Sequence, residues 1–159
     1  MRNEPGPGEI TANPDRLCAQ AEALLAGCDD AIANAANLSA LIYHSLEKVN
    51  WAGFYFLRNG RLLVGPFQGR PACVEIPVGK GVCGTAAASL KVQRVADVHA
   101  FTGHITCDPE SRSEIVLPLV HHGDLIGVLD VDSPEPNRFQ NSDQRLLEKL
   151  AALYIRSLG

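Results

Sequence analysis

The chain contains two pairs of apolar, strand-length segments, and a short turn joins the members of each pair. Residues 51–57 and 61–67 flank Asn59-Gly60, and residues 114–120 and 125–131 flank a second polar turn. Asn-Gly is a strong hairpin signal because both residues tolerate the positive φ that a two-residue turn requires. The spacing therefore predicts antiparallel hairpins.

Helical patterns lie on both sides of this β-rich middle. Asn13-Pro14 begins one helix, with a capping side chain followed by a proline that suits the first turn, and Asp30 opens a second. A short helix is predicted over residues 85–90, and Asn141 caps the last helix. Helices followed by strands and then by a helix predict an α+β fold, in which a central antiparallel sheet has helices packed mainly on one side.

Length and composition indicate one mildly acidic domain. With 159 residues and 46% hydrophobic content, we predict a flexible tail over residues 1–13 and a single domain over residues 14–159. The net charge of -4 argues against nucleic acid as a partner. No apolar run approaches the ~20 residues that span a bilayer, and residues 1–13 lack the apolar core of a signal peptide. A cytoplasmic location without membrane binding is therefore predicted.

The cysteines point to thiol chemistry. There are five, with no Cys-x-x-Cys pair, and permanent disulfides are not expected in a reducing compartment. Cys107 lies in a long polar loop that ends at Glu114, and a thiol and a carboxyl group so placed suggest redox or acid-assisted thiol chemistry. Cys83 lies just before a helix whose dipole would lower the pKa of its thiol. On this ground Cys83 is as good a nucleophile as Cys107.

Strand alternation brings several acids together. Asp130 and Asp132 share one face with Ile126 and Val128, and the two carboxylates lie roughly 7 Å apart by strand geometry. If the hairpin is paired, Glu114 lies at the same end. Buried together, these acids would repel one another, so the site requires a cation or a retained proton. Asp132 could equally begin the turn that follows, whereas Asp130 interrupts an apolar run.

Other residues are open to more than one interpretation. Trp51 and Tyr55 share a strand face, and their polar tips make them candidate pocket walls as well as core residues. The spacing of Cys73, Cys83, Cys107 and His104 matches no compact zinc motif, so no metal site is predicted. The glycine-rich turn at residues 79–84 lacks the ending of a phosphate-binding P-loop.

Six sequence blocks carry a resemblance to a known family. From about residue 17 to residue 158 the chain resembles the free methionine-(R)-sulfoxide reductases, which are enzymes built on a GAF-type domain. The blocks are Trp51-Ala-Gly-Phe-Tyr, Pro77-Val-Gly-Lys-Gly-Val-Cys83-Gly-Thr, Asp97-Val-His, Gly103-His-Ile-Thr-Cys107-Asp, Ser113-Glu-Ile-Val-Leu-Pro and Gly127-Val-Leu-Asp130-Val-Asp132-Ser.

The resemblance implies an activity and a set of partners. It implies a GAF-like domain that reduces free methionine-(R)-sulfoxide, with catalysis by Cys107, a resolving role for Cys73 and Cys83 nearby. It further implies recycling by thioredoxin, with electrons from NADPH and no bound cofactor. It also suggests a homodimer, in which we expect the N-terminal helices to form the contact.

The residues fit this chemistry. The Cys107 thiolate would attack the sulfoxide sulfur while a protonated acid, for which we choose Glu114 assisted by Asp130 or Asp132, protonates the oxygen. Cys107 would become a sulfenic acid, and Cys73 would condense with it to a disulfide that a dithiol reopens.

Substrate selection follows from the same acids. A free amino acid carries an ammonium group that the buried acid pair can hold, whereas a peptide nitrogen has no such charge. Trp51 and Tyr55 would enclose the S-methyl end. Two rival functions remain open at this stage, a non-enzymatic GAF-like sensor of a small ligand and a thiol redox switch without turnover.

Overall fold

The computed structural model describes residues 13–105 and 107–159. In chain order the elements are α1 (Pro14–Leu25), α2 (Ala31–Ser45), β1 (Trp51–Arg58), β2 (Arg61–Gly69), β3 (Glu75–Pro77), α3 (Gly81–Ser89), β4 (Gln93–Val95), a 3₁₀ turn (Val98–Ala100), β5 (Ser113–His121), β6 (Asp124–Ser133) and α4 (Asn141–Ser157). Over these residues the strands form one six-stranded antiparallel sheet in the order β3-β2-β1-β6-β5-β4. The predicted hairpins are β1–β2 and β5–β6.

Three helices cover one face of the sheet and enclose the main core. The buried apolar side chains of α1, α2 and α4 pack against Phe54 of β1, Leu117 of β5 and Leu129 of β6. The Tyr154 hydroxyl in α4 donates a hydrogen bond of 2.9 Å to the carbonyl oxygen of Ala31 at the start of α2. The predicted α+β architecture, with helices packed mainly on one side, is confirmed.

The fourth helix, α3, lies on the opposite face. Its residues Val82 and Ala86 form a second apolar cluster with Ile76, Val116 and Val128. Gly84 permits this packing, because a Cβ at that position would collide with the carbonyl oxygen of Pro77. The glycine-rich turn therefore serves close packing of α3 against the chain that precedes it.

A β-bulge changes the alternation in β6. The pairing of β5 with β6 skips Ile126, which packs against the three-helix core. An extra residue reverses the alternation on one side of the bulge. The prediction that Ile126 shares a face with Asp130 is therefore wrong, whereas Asp130 and Asp132 lie beyond the bulge and keep their predicted face.

Several element boundaries also differ from prediction. Helix α4 has Gln140 as its N-cap, and the Gln140 backbone N–H donates to Asp143 Oδ2 at 2.8 Å. The predicted cap, Asn141, instead accepts a hydrogen bond of 2.8 Å from Arg94. Helix α3 begins at Gly81, so Cys83 lies inside its first turn rather than before it.

The N-terminal part of the chain begins with a capped helix. The Asn13 side chain accepts hydrogen bonds from the backbone N–H groups of Asp15 and Arg16, as a cap followed by proline predicts. The predicted tail over residues 1–13 lies outside the described residues except for Asn13. Among the helices that the structure describes, none is long and apolar enough to cross a membrane.

Candidate active site

Strand register brings the three predicted acids to one place. Glu114 in β5 pairs with Asp132 in β6, and Asp130 lies two residues before Asp132 in the same strand, opposite Gly53 in β1. Glu114 and Asp130 are only 9% and 5% exposed. The carboxyl groups therefore meet in the interior, on the face of the sheet that α3 covers.

These acids line a small cavity together with both predicted aromatic residues and two cysteines. The cavity has a volume of about 40 Å³ and lies between the sheet, α3 and the polar loop. Its lining combines carboxyl groups, sulfur atoms and aromatic rings, contributed by Trp51, Tyr55, Cys83, Cys107, Glu114, Asp130 and Asp132 among others. Of the predicted site residues only Cys73 is not part of the lining, and it is covalently joined to Cys107.

A disulfide between Cys73 and Cys107 closes one side of the cavity. The two Cα atoms lie 5.3 Å apart across a sequence separation of 34 residues. The bond ties the segment between β2 and β3 to the polar loop that follows the 3₁₀ turn. The structure therefore presents the oxidised form of the pair that the resemblance implied. The same bond rules out, in this form, a zinc site that uses both cysteines.

The polar tips of the two aromatic residues are already engaged. Trp51 Nε1 donates to the carbonyl oxygen of Arg70 at 3.2 Å, and the Tyr55 hydroxyl donates to the carbonyl oxygen of Cys73 at 3.2 Å. Their rings stack with centroids 5.8 Å apart. Both rings form cavity wall as predicted, and their polar ends hold the segment that carries Cys73 in place.

Cys83 is placed against the acids rather than toward solvent. Its Sγ lies 3.8 Å from Glu114 Oε1, to which the thiol donates a hydrogen bond, and the residue is 3% exposed. Burial, followed by the negative charges of Asp130 and Glu114, raises the pKa of this thiol well above its ordinary value. The prediction that the helix dipole lowers the pKa of Cys83 is therefore wrong, because loss of solvation outweighs the dipole.

The two aspartates retain protons more readily than ordinary carboxyl groups. Burial, then the charges of Asp132 and Glu114, raises the pKa of Asp130, while burial and the charge of Glu114 raise that of Asp132. Asp130 Oδ1 and Asp132 Oδ1 are buried, and neither has a hydrogen-bond partner among the described residues. A retained proton or a bound cation would therefore stabilise the site.

Two further lining residues, Asp108 and Ser111, were not predicted. Asn50, just before β1, donates from its side-chain amide to Ser111 Oγ at 3.2 Å, and its backbone N–H donates to the carbonyl oxygen of Asp132 at 3.0 Å. Asn50 thus joins the loop that carries Cys107 to the acidic strand. Asp108 could have been suspected from its position beside Cys107, but the sequence carries no signal for Ser111.

Comparison with known proteins agrees with this geometry. Residues 22–158 match the GAF domain family. The chain is 56% identical over 130 residues to the free methionine-R-sulfoxide reductase of Escherichia coli, covering 82% of this chain and 79% of that protein. It is 42% identical over 151 residues to the enzyme of the same name from Saccharomyces cerevisiae, covering 90% and 84%.

A solved structure extends the similarity to three dimensions. The fRMsr of Staphylococcus aureus in complex with its substrate superimposes with a TM-score of 0.89 at 46% identity, covering 92% of this chain and 96% of that chain. The match to the GAF family covers most of the chain, and the chain folds into an antiparallel sheet flanked by helices. These two findings define a GAF domain. The chain belongs to the GAF domain family and, within it, to the free methionine-R-sulfoxide reductases, as the sequence blocks predicted.

Proposed function

We propose that the protein reduces free L-methionine-(R)-sulfoxide to L-methionine, with Cys107 as the nucleophile. The observation that carries the proposal is the Cys73–Cys107 disulfide at the wall of a cavity that three carboxyl groups also line. The names of the relatives support the same reaction. A disulfide joined to an acidic pocket is what an oxygen-transfer reaction at a thiol would leave behind.

The electrons and atoms balance over two steps. The Cys107 thiolate attacks the sulfoxide sulfur, and the oxygen passes to Cys107 as a sulfenic acid while the sulfoxide is reduced to the thioether of methionine. The Cys73 thiol then attacks the sulfenic sulfur, which forms the disulfide and releases water. The short Cα separation of 5.3 Å supports Cys73 as the resolving residue.

The acids have two roles in this proposal. Glu114 donates the proton that the sulfoxide oxygen needs, and the raised pKa of Asp130 and Asp132 supports a cluster that still holds a proton near neutral pH. The remaining negative charge binds the substrate ammonium group. A peptide nitrogen has no charge to offer to the buried carboxylates, so peptide-bound methionine sulfoxide is rejected.

The oxidised site has no room for the substrate. A cavity of about 40 Å³ holds about three waters at roughly 10–15 Å³ each, which is well below the size of an amino acid. Reduction of the disulfide therefore precedes substrate binding, because only then can the segment that carries Cys73 and the polar loop separate.

Regeneration and assembly belong to the same proposal. A dithiol protein such as thioredoxin, supplied with electrons from NADPH, would reopen the disulfide in a reducing compartment such as the cytoplasm. The protein would act as a homodimer. Size-exclusion chromatography with light scattering tests the dimer, and replacement of thioredoxin by a monothiol tests the reductant.

The decisive experiment presents the two sulfoxide epimers separately. The protein is incubated with free methionine-(R)-sulfoxide or the S epimer, together with thioredoxin, thioredoxin reductase and NADPH. We expect NADPH consumption and methionine release with the R epimer alone, and none with N-acetylated methionine sulfoxide. Absence of turnover with both free epimers would contradict the proposal and favour a small-ligand sensor or a redox switch.

A further inference from the structure

One thiol and two carboxyl groups of the cavity converge on a single point. Cys83 Sγ, one oxygen of Glu114 and one oxygen of Asp130 all lie within 4.8 Å of one another. All three residues are buried, with exposures of 3%, 9% and 5%. They come from three different elements, α3, β5 and β6, so this convergence is a property of the tertiary fold.

The spacing of these atoms suits a small divalent cation. Zinc binds sulfur at about 2.3 Å and carboxylate oxygen at about 2.0–2.2 Å, so two ligands of one tetrahedral zinc ion lie about 3.5 Å apart. Cys83 Sγ and Glu114 Oε1 are 3.8 Å apart. A shift of a few tenths of an ångström would bring both into coordination distance. The thiolate favours zinc over magnesium or calcium, which prefer sites made of oxygen alone.

A second observation indicates that the cluster lacks a partner. Asp130 Oδ1 is buried in the cavity lining, and no described residue donates a hydrogen bond to it. The lining of the cavity, as far as the structure describes it, includes no lysine or arginine that could compensate the carboxylates. A buried carboxylate oxygen without a donor is costly, and a bound cation would remove that cost.

The available space also discriminates between ligands. A cavity of about 40 Å³ admits an ion with one or two waters, although it does not admit an amino acid. The disulfide removes Cys73 and Cys107 as competing ligands. The oxidised protein is therefore the form in which the cluster of Cys83, Glu114 and Asp130 can be tested by itself.

We propose that Cys83, Glu114 and Asp130 form a binding site for one zinc ion, which blocks the position of the substrate ammonium group. Binding displaces the thiol proton of Cys83 and any proton that the two carboxyl groups hold, and these protons pass to the buffer. The blocking of substrate rests on the proposed reductase activity, whereas zinc binding does not depend on it. Zinc is thus an inhibitor that excludes the substrate from the site for as long as the ion stays bound.

Zinc binding is measured by competition with a chromophoric chelator, using the full-length oxidised protein after mass spectrometry has verified the Cys73–Cys107 disulfide. We expect one zinc ion per chain. Cys83→Ser and Asp130→Asn should each weaken binding at least about tenfold, since even indirect contacts to a metal contribute 10- to 100-fold. Absence of stoichiometric binding, or equal affinity in wild type and both variants, would overturn the proposal.

Matched controls separate this site from adventitious ones. The double variant Cys18→Ser/Cys28→Ser removes the other two free thiols, and His121→Gln/His122→Gln removes a partly exposed histidine pair whose rings lie 4.0 Å apart. Both double variants should bind zinc as the wild type does. Loss of the bound zinc in either one would assign the ion to that location and contradict the proposal.

Cobalt supplies a direct signature that a merely structural effect would not produce. Oxidised protein loaded with Co²⁺ should show a sulfur-to-cobalt charge-transfer band in the near ultraviolet, which Cys83→Ser should abolish and zinc should displace. A folded Cys83→Ser variant that keeps the band would exclude Cys83 as a ligand.

Inhibition is tested last, so that failure of the binding and failure of the activity remain distinguishable. In single turnovers of the reduced Cys73→Ser protein, in which the Cys107 thiol is also free, zinc should lower methionine release. Its apparent inhibition constant should rise linearly with substrate concentration, and the added substitution Cys83→Ser should raise the constant extrapolated to zero substrate at least about tenfold. Tight zinc binding with substrate-independent inhibition would overturn the blocking of the ammonium position. Zinc binding in a protein that reduces neither epimer would leave the site intact and refute only the proposed function.

Discussion

The two faces of the central sheet come from the same strands and differ in what they bury. On one face Phe54 and Phe56 of β1 pack among three helices in an apolar core. On the other face Trp51 and Tyr55 of the same strand border a cavity with carboxyl and thiol groups. Apolar burial stabilises the fold by about 1.5–3 kcal/mol per large side chain, whereas buried acids oppose folding. Stability and chemistry are therefore divided between the faces.

Loss of the proposed nucleophile should have the largest effect. Cys107→Ser should abolish methionine release in the first turnover, because a hydroxyl cannot replace the thiolate, while the reduced protein keeps its thermal stability. Methionine is quantified by chromatography after mixing with the R epimer, and Cys28→Ser is the matched control with full activity. If Cys83→Ser abolishes release and Cys107→Ser does not, the nucleophile has been assigned wrongly.

Cys73→Ser should limit the protein to a single turnover. Cys107 can still take the oxygen, but no disulfide forms for thioredoxin to open. We expect close to one methionine per chain and then no further NADPH consumption. Continued cycling at the wild-type rate would show that another thiol, such as Cys83, resolves the sulfenic acid.

Replacement of a large side chain by a small one in the three-helix core should affect stability and leave activity unchanged. Leu147 in α4 is fully buried on the side remote from the cavity. Leu147→Ala should lower the free energy of unfolding by about 2–5 kcal/mol, measured by urea denaturation, and leave kcat/KM of the folded fraction within about twofold. A selective loss of activity would mean that the two faces are more strongly coupled than their separate cores indicate.

A substitution on the acidic face should have the opposite effect, because it should raise stability and weaken substrate binding. Burial and neighbouring charges raise the pKa of Asp130 in the folded state, above an unfolded value of about 3.9. The folded protein then holds a proton that the unfolded chain releases, so the free energy of unfolding decreases as pH rises from about 4 through the folded pKa. In Asp130→Asn this decrease in the free energy of unfolding is absent, because the amide does not titrate.

The variant should therefore melt at a higher temperature than the wild type, and the difference should be larger at about pH 8 than at about pH 4. At the same time it should raise KM for the R epimer, because one ammonium partner is gone. Thermal denaturation of both oxidised proteins across this range provides the comparison. A Tm difference that does not change with pH would mean that Asp130 is ionised to the same extent in both states.

Two tyrosines provide the finest comparison between the faces. Tyr55→Phe and Tyr154→Phe each remove one hydroxyl that donates to a backbone carbonyl, at 3.2 Å and 2.9 Å respectively. Each should lower stability by about 1 kcal/mol. Only Tyr55→Phe should slow disulfide formation, followed by alkylation and mass spectrometry, because Tyr55 holds the Cys73 backbone. Equal rates in both variants would show that this contact does not position Cys73.

Local sequence signals predicted most of the fold and the acidic end of the site. The turn at Asn59-Gly60 and the alternation around Asp130 correctly gave antiparallel pairing and the convergence with Glu114. Both depend on short-range geometry, which the sequence states directly. The disulfide partner of Cys107 came only from the family resemblance, because loop conformation decides which sulfur atoms can meet.

Properties that depend on the surroundings were predicted less well. Sequence placed Cys83 at a helix start, but the sign of its pKa change follows from complete burial among carboxyl groups. Ile126 packs against the three-helix core because of a bulge that the apolar pattern does not reveal. Both errors arise from tertiary packing, which overrides a correct local interpretation.

The narrow space beneath the Cys73–Cys107 bond has a kinetic consequence. Under the proposed function, thioredoxin would have to open this disulfide and leave before methionine sulfoxide could bind. A reaction with this order of binding and release follows a ping-pong scheme. Double-reciprocal plots at several thioredoxin concentrations would then be parallel. When reductant is scarce, the protein would wait empty and leave methionine sulfoxide free in solution.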